Sequence, residues 1–156
     1  MTKLVLALHV LAAIIAVGPV TVAASMFPAA VRRAASAPDD GTLAGVRFLN
    51  RICRVYAQIG VAVPVFGFAT ASLMHVLGSP WLIASIFLTA AAALVLGLLV
   101  LPRQQTLLTA LTGTTAEPRL HRAATAQLAM LTGVFNLLWA TVTVLMIIRP
   151  GSTTGA

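Results

Sequence analysis

The chain has 156 residues, 60% of them hydrophobic and 8% charged, with a formal net charge of +7. A soluble domain carries about 25% charged residues, so this chain has too few to cover a water-exposed surface. The positive balance does not indicate nucleic acid, because the basic residues sit at the ends of apolar runs and form no patch interleaved with aromatics.

Lys3 and Arg32 enclose 28 residues without a formal charge. A helix rises about 1.5 Å per residue, so about 20 apolar residues cross about 30 Å of hydrocarbon. This run therefore predicts one span, about Leu4–Phe27. Small residues at Ala23-Ala24-Ser25 also suit a secretory signal peptide. The apolar stretch exceeds the usual h-region of about 7–15 residues, which favours a retained span. Gly18-Pro19 lies inside it, and Pro19 removes a backbone hydrogen bond and can kink the helix.

Pro38-Asp39-Asp40-Gly41 reads as a turn, after which Thr42 is the expected cap of a helix running straight into the second span. On that helix Arg47, Arg51 and Arg54 fall at i, i+4 and i+7 and share one face. Its plain reading is contact with anionic lipid headgroups, and its sharper reading is a protein partner.

Arg54 and Arg103 enclose 48 uncharged residues, enough for two spans. Gly78-Ser79-Pro80 divides them into about Val55–Leu77 and Trp81–Leu101, with Trp81 expected at the headgroup level. Pro64 is a second candidate kink. From Gln104 to Glu117, Leu107, Leu108 and Leu111 stand among Thr and Gln, as in a segment lying on the membrane surface. Arg122 and Arg149 enclose 26 residues and predict the fourth span, about Ala124–Ile148. Residues 1–150 then form a single transmembrane domain, and Gly151–Ala156 a flexible tail. The fold class is all-α, a polytopic membrane protein built as an antiparallel bundle of four transmembrane helices. Strands are not expected, since period-2 alternation is absent and an open sheet edge cannot face lipid.

Eight of the ten basic residues lie in the two loops after the first and third spans. The positive-inside rule makes those loops cytoplasmic and places both termini outside.

Lipid tails are as apolar as Leu, so small residues and polar contacts are expected to hold the helices together. Thr89, Ala93 and Gly97 repeat every four residues on the third span, and Gly67 and Ala71 do so on the second. Thr125, Thr132, Asn136 and Thr143 form a stripe on the fourth, where the mid-span Asn136 amide needs a partner across the bundle. The structural reading of this stripe is packing; the functional one is a transport path.

Asp39, Asp40 and Glu117 are the only acids, and none lies in a span. No carboxylate pair, phosphate loop or nucleophile motif is present, so an enzyme is not expected. The single Cys53 and the histidines show no zinc-site spacing. His9 and His75 lie toward the same membrane face on different helices. Facing imidazoles can clamp a haem iron, here haem b, and the nearby thioethers of Met74 and Met146 suit copper. The bland reading makes His9 a hydrogen-bonding packing residue, His75 a headgroup residue and the methionines gap-fillers. His121 beside Arg122 reads as a solvated loop residue.

Leu8-His9-Val10-Leu11-Ala12-Ala13 with Val17-Gly18 resembles the first helix of a family of small bacterial integral membrane proteins catalogued as a domain of unknown function. Trp81-Leu82-Ile83-Ala84-Ser85 and Met146-Ile147-Ile148-Arg149-Pro150-Gly151 resemble its later segments. The resemblance implies a bacterial cytoplasmic membrane and four helices, and supplies no activity. The His9…Gly18 pattern is also similar to the copper-resistance D type of membrane protein, which implies His9 as a ligand, although Pro19 stands where a second Gly is usual. Three functions follow as expectations. The first is a non-enzymatic membrane protein, as an accessory subunit alongside other membrane subunits. The second is a haem or copper binder. The third is a small-molecule transporter.

Overall fold

The computed structural model describes residues 2–113 and 118–151, without the side chains of 118–121. The expected tail, apart from Gly151, and the side chain of His121 therefore fall outside what is described. Helix α1 runs Thr2–Ser36, α2 Asp40–Ile59, α3 Ala62–Leu73, α4 Pro80–Leu94, α5 Leu101–Thr112 and α6 Pro118–Ile148. A π-helical stretch, Val95–Val100, joins α4 to α5. Among the described residues these make four lengths apolar enough to cross a membrane: α1, α2 with α3, α4 through α5, and the greater part of α6.

Helix α1 packs against α2, α3 and α6, and α6 packs against α4. The α3–α4 seam is the loosest, closed mainly around Ala71, Trp81 and Leu82. The four spans thus form an antiparallel bundle with one weak side.

The helices run further at the arginine-rich end than apolarity predicts. At 35 residues α1 is about 52 Å long, against about 30 Å of hydrocarbon. It continues past Phe27 because Val31 and Ala34 bury while Arg32 and Arg33 point outward. The chain then turns, and the N-cap of α2 is Asp39 rather than Thr42. Asp39 Oδ1 accepts from the Thr42 N–H at 2.6 Å, and Thr42 Oγ1 accepts from the Asp39 N–H at 3.2 Å. This reciprocal pair satisfies two end donors that the first helical turn leaves free. The expected surface segment after Gln104 is instead the body of α5, whose Gln104 and Leu107 are buried. Val31, Ala34, Val46, Leu107 and Leu128 close one apolar core there.

The second span is broken where Pro64 predicts disturbance, but the break lies before the proline. Pro64 has no N–H for the Gly60 carbonyl, which accepts instead from the Val63 N–H at 3.1 Å. The Val61 N–H likewise reaches back three residues to Gln58 O. The resulting tight turn separates α2 from α3 in mid-span. On the third span, Leu96, Val100 and Gln104 are all buried at spacings of four. At about 100° per residue such a row drifts by about 40° per step, and the wider π turn absorbs the drift.

The buried line of the third span is Ser85, Ala92, Leu96, Val100. It runs beside the expected stripe, so Thr89, Ala93 and Gly97 are not its packing face. Thr89 is half-buried, Ala93 and Gly97 are exposed, and a Cβ on Gly97 would meet nothing within 4 Å. Trp81, expected at the headgroup level, is 6% exposed and packs against Ala71 and Leu82.

A polar link crosses the core near the arginine-rich end. Asn50 Nδ2 of α2 donates to Gln104 Oε1 at 3.3 Å, and Gln104 Nε2 lies 3.5 Å from Cys53 Sγ. All three side chains are buried. Replacing Asn50 or Gln104 singly with Leu should lower stability by about 1–3 kcal/mol, because a buried amide is left unpaired. The double Leu variant should recover most of that loss in thermal melts followed by circular dichroism in mild detergent.

Candidate functional site

Histidine 9 sits on α1, where the ring lies against Gly67 of α3. Its Nδ1 is 2.9 Å from the Val63 carbonyl oxygen. A carbonyl only accepts, so this contact places a proton on Nδ1 and leaves Nε2 as the ring's other nitrogen. Gly67 leaves room for the ring: a Cβ there would stand 3.0 Å from His9 Cε1. Small-residue spacing marked Gly67 as a packing position, but only the fold shows that an imidazole occupies the space.

Histidine 75 has a different setting. It follows the end of α3 with a positive φ of 55° and is exposed. Its N–H bonds Ser72 O at 3.2 Å, and the Val76 N–H bonds Ala71 O at 3.2 Å. These two bonds form the Schellman ending of a helix, whose left-handed residue is usually glycine. Gly67 and His75 are eight residues apart, about 12 Å of helical rise. Met74 is half-buried at the C-cap of α3. Met146 packs against the Ala71–Trp81–Leu82 cluster, where its carbonyl accepts from Arg149 Nε at 3.3 Å. The Arg149 guanidinium lies over the Trp81 ring, 5.6 Å from its centroid. Among the described residues no three His, Cys, Asp or Glu side chains gather as a metal cluster.

On α6, Thr125 and Thr132 are buried and Thr143 is exposed. Asn136 Nδ2 donates across the bundle to Ser25 Oγ of α1 at 3.2 Å. Its Oδ1 is sealed from solvent without a partner, as is Thr132 Oγ1 one turn earlier.

A cavity of about 150 Å³ lies between the spans at the break of the second one. Gly60, Val61 and Pro64 form one wall and Thr89 and Ala93 of α4 the other. Val17 and Val20 of α1 and the rings of Tyr56, Phe135 and Trp139 complete it. Sequence spacing placed Thr89 and Ala93 together on one helix face; their part in a cavity depends on the break opposite them.

Four apolar spans and an arginine-rich end define a small polytopic integral membrane protein. The chain belongs to the family described as "Predicted integral membrane protein (DUF2269)", whose match covers residues 3–150. No curated protein and no solved structure matches it.

Gly67→Ala should push the imidazole off Val63 and lower the melting temperature, whereas Gly18→Ala and Gly97→Ala, with nothing within 4 Å of the added carbon, should leave it unchanged or raised. His75→Gly should add about 1 kcal/mol of stability by relieving the left-handed backbone. Thermal unfolding of the four variants in one detergent reads all these effects.

Proposed function

We propose that this protein is a non-enzymatic accessory subunit of a larger complex in the bacterial cytoplasmic membrane, with both termini outside. The orientation rests on the eight basic residues gathered at one end of the bundle. The subunit reading rests on the outward face of α2. Arg47, Arg51 and Arg54 are all exposed there, each one residue past the buried Val46, Asn50 and Cys53. None of the three arginines has an ion-pair partner among the described residues.

The observation that carries the reading is Phe48, which is 64% exposed on this face. It stands six residues before Arg54, about 9 Å further from the apolar span. A ring that dips into lipid belongs on the membrane side of the arginines, whereas Phe48 stands among them, between Arg47 and Arg51. Exposed aromatic and Arg side chains together are the usual anchors of protein interfaces. An acidic partner surface fits this face.

Purification in mild detergent tests the reading. The wild type should carry a stoichiometric partner, and Arg47→Ala/Phe48→Ala/Arg51→Ala should lose it while keeping its helical spectrum. A wild type that runs alone, at the mass of one chain, would sink the idea. Loss of retention on anionic vesicles alone would assign the face to lipid headgroups.

One observation supports a second reading, with His9 as a haem or copper ligand. Its Nδ1–H is held by a carbonyl, the support that orients metal-binding histidines and leaves Nε2 as the donor. His75 is the expected second ligand, with Met74 and Met146 as thioether alternatives for copper. Protein purified from its native membrane should then show a Soret band or stoichiometric copper that His9→Ala removes. His75→Gly, which keeps the α3 ending, shows whether His75 takes part. A colourless, metal-free sample leaves His9 as an α1–α3 packing residue. The transporter reading has no comparable support, since the amide expected to line its path holds Ser25.

A further inference from the structure

The cavity at the broken second span has three properties that together define a ligand. The first is access. It opens between Val61 and Ala93, both exposed on the weak α3–α4 side. Thr89 and Ala93 lie nine and thirteen residues past Pro80, about 13–20 Å into the hydrocarbon. The mouth therefore faces lipid tails at mid-depth, and an occupant must arrive dissolved in the membrane.

The second property is size and lining. A dry cavity of about 150 Å³ accommodates one benzene-sized ring. Tyr56, Phe135 and Trp139 offer aromatic surface for a flat occupant, and Phe135 and Trp139 are themselves set edge to face at 6.4 Å.

The third property is an unused pair of donors. Within a span, a Ser or Thr hydroxyl commonly returns to the carbonyl four residues back, although Thr132 here does not. Thr70, Ser85, Thr141 and Thr143 all do so, at 2.8 to 2.9 Å. Thr89 does not, and the hydroxyls of Thr89 and Tyr56 have no hydrogen-bond partner among the described residues. Neither is among the sealed unpaired atoms, so each retains open surface. A lone hydroxyl at mid-membrane is unfavourable, and lipid tails offer it nothing.

We infer that this cavity binds a membrane-soluble compound with a single ring bearing carbonyl oxygens, of the benzoquinone class. Tyr56 and Thr89 donate to its oxygens, the aromatic wall covers its ring, and its alkyl tail leaves between Val61 and Ala93. The small side chain of Ala93 keeps the space open. The site is separate from the α2 face, and neither reading depends on the other.

The test uses the full chain in mild detergent with 2-decyl-1,4-benzoquinone as the probe. Trp81→Phe leaves Trp139 as the single tryptophan, and a quinone seated beside it quenches its fluorescence. Saturable quenching is expected. Tyr56→Phe and Thr89→Val, which keep shape, should each weaken binding about fivefold, the loss of one ordinary hydrogen bond. Ala93→Phe should fill the mouth and abolish saturation. Quenching that rises without saturation, or that Ala93→Phe leaves intact, overturns the site. If decylbenzene competes as well as the quinone, the two hydroxyls read nothing and the quinone assignment falls. Circular dichroism of each variant confirms that the bundle is folded.

Discussion

Inside a bilayer, burying a leucine against another helix gains little over leaving it in lipid. The cohesion of this bundle therefore depends on the end where its helices leave the hydrocarbon. There Phe27, Val31, Val46 and Val100 are fully buried, with Gln104 and Cys53 among them. This is soluble-protein packing, driven by water on its outside, and the Asn50–Gln104 pair holds α2 to α5. It clamps all four spans at one end, and the capped turn at Asp39 fixes the α1–α2 hairpin within it.

The opposite half is held differently. There a smaller apolar cluster of Ala71, Trp81 and Leu82 is joined by single polar contacts: His9 on the Val63 carbonyl and Arg149 over Trp81. Each is a short-range pairing in a medium that supplies no alternative partner, so each sets position more than it adds cohesion. A half secured by so few points tolerates open space. The weak α3–α4 seam lies on this side of the clamp, and the cavity borders the clamp's core at Val20, Leu96 and Phe135.

Pro64 links the two halves. By denying Gly60 its normal partner it splits the second span, and non-helical backbone at that depth persists where protein or a cavity surrounds it. The break also turns α3 so that Gly67 meets His9. One missing N–H thus shapes both the cavity wall and the imidazole's seat.

Much of the architecture was legible in the chain. The number of spans, their order and the arginine asymmetry follow from hydrophobic run length and charge, because the membrane imposes one length on every crossing. The Gly78-Ser79-Pro80 turn and the need of Asn136 for a partner were legible for similar local reasons. Where apolarity was the guide, helix ends were underestimated: α1 and α5 continue as amphipathic helices whose buried face contains Val31, Gln104 and Leu107 amid polar neighbours. The stripe at Thr89, Ala93 and Gly97 was visible as a pattern, but pattern does not say what faces it. Helix rotation, the pairing of Asn50 with Gln104 and the space behind Thr89 depend on contacts between residues far apart in the chain. Composition and periodicity determined that this chain spans a membrane four times; which side chains meet, and where they leave room, was decided only when the helices packed, because lipid is indifferent to which apolar face it touches.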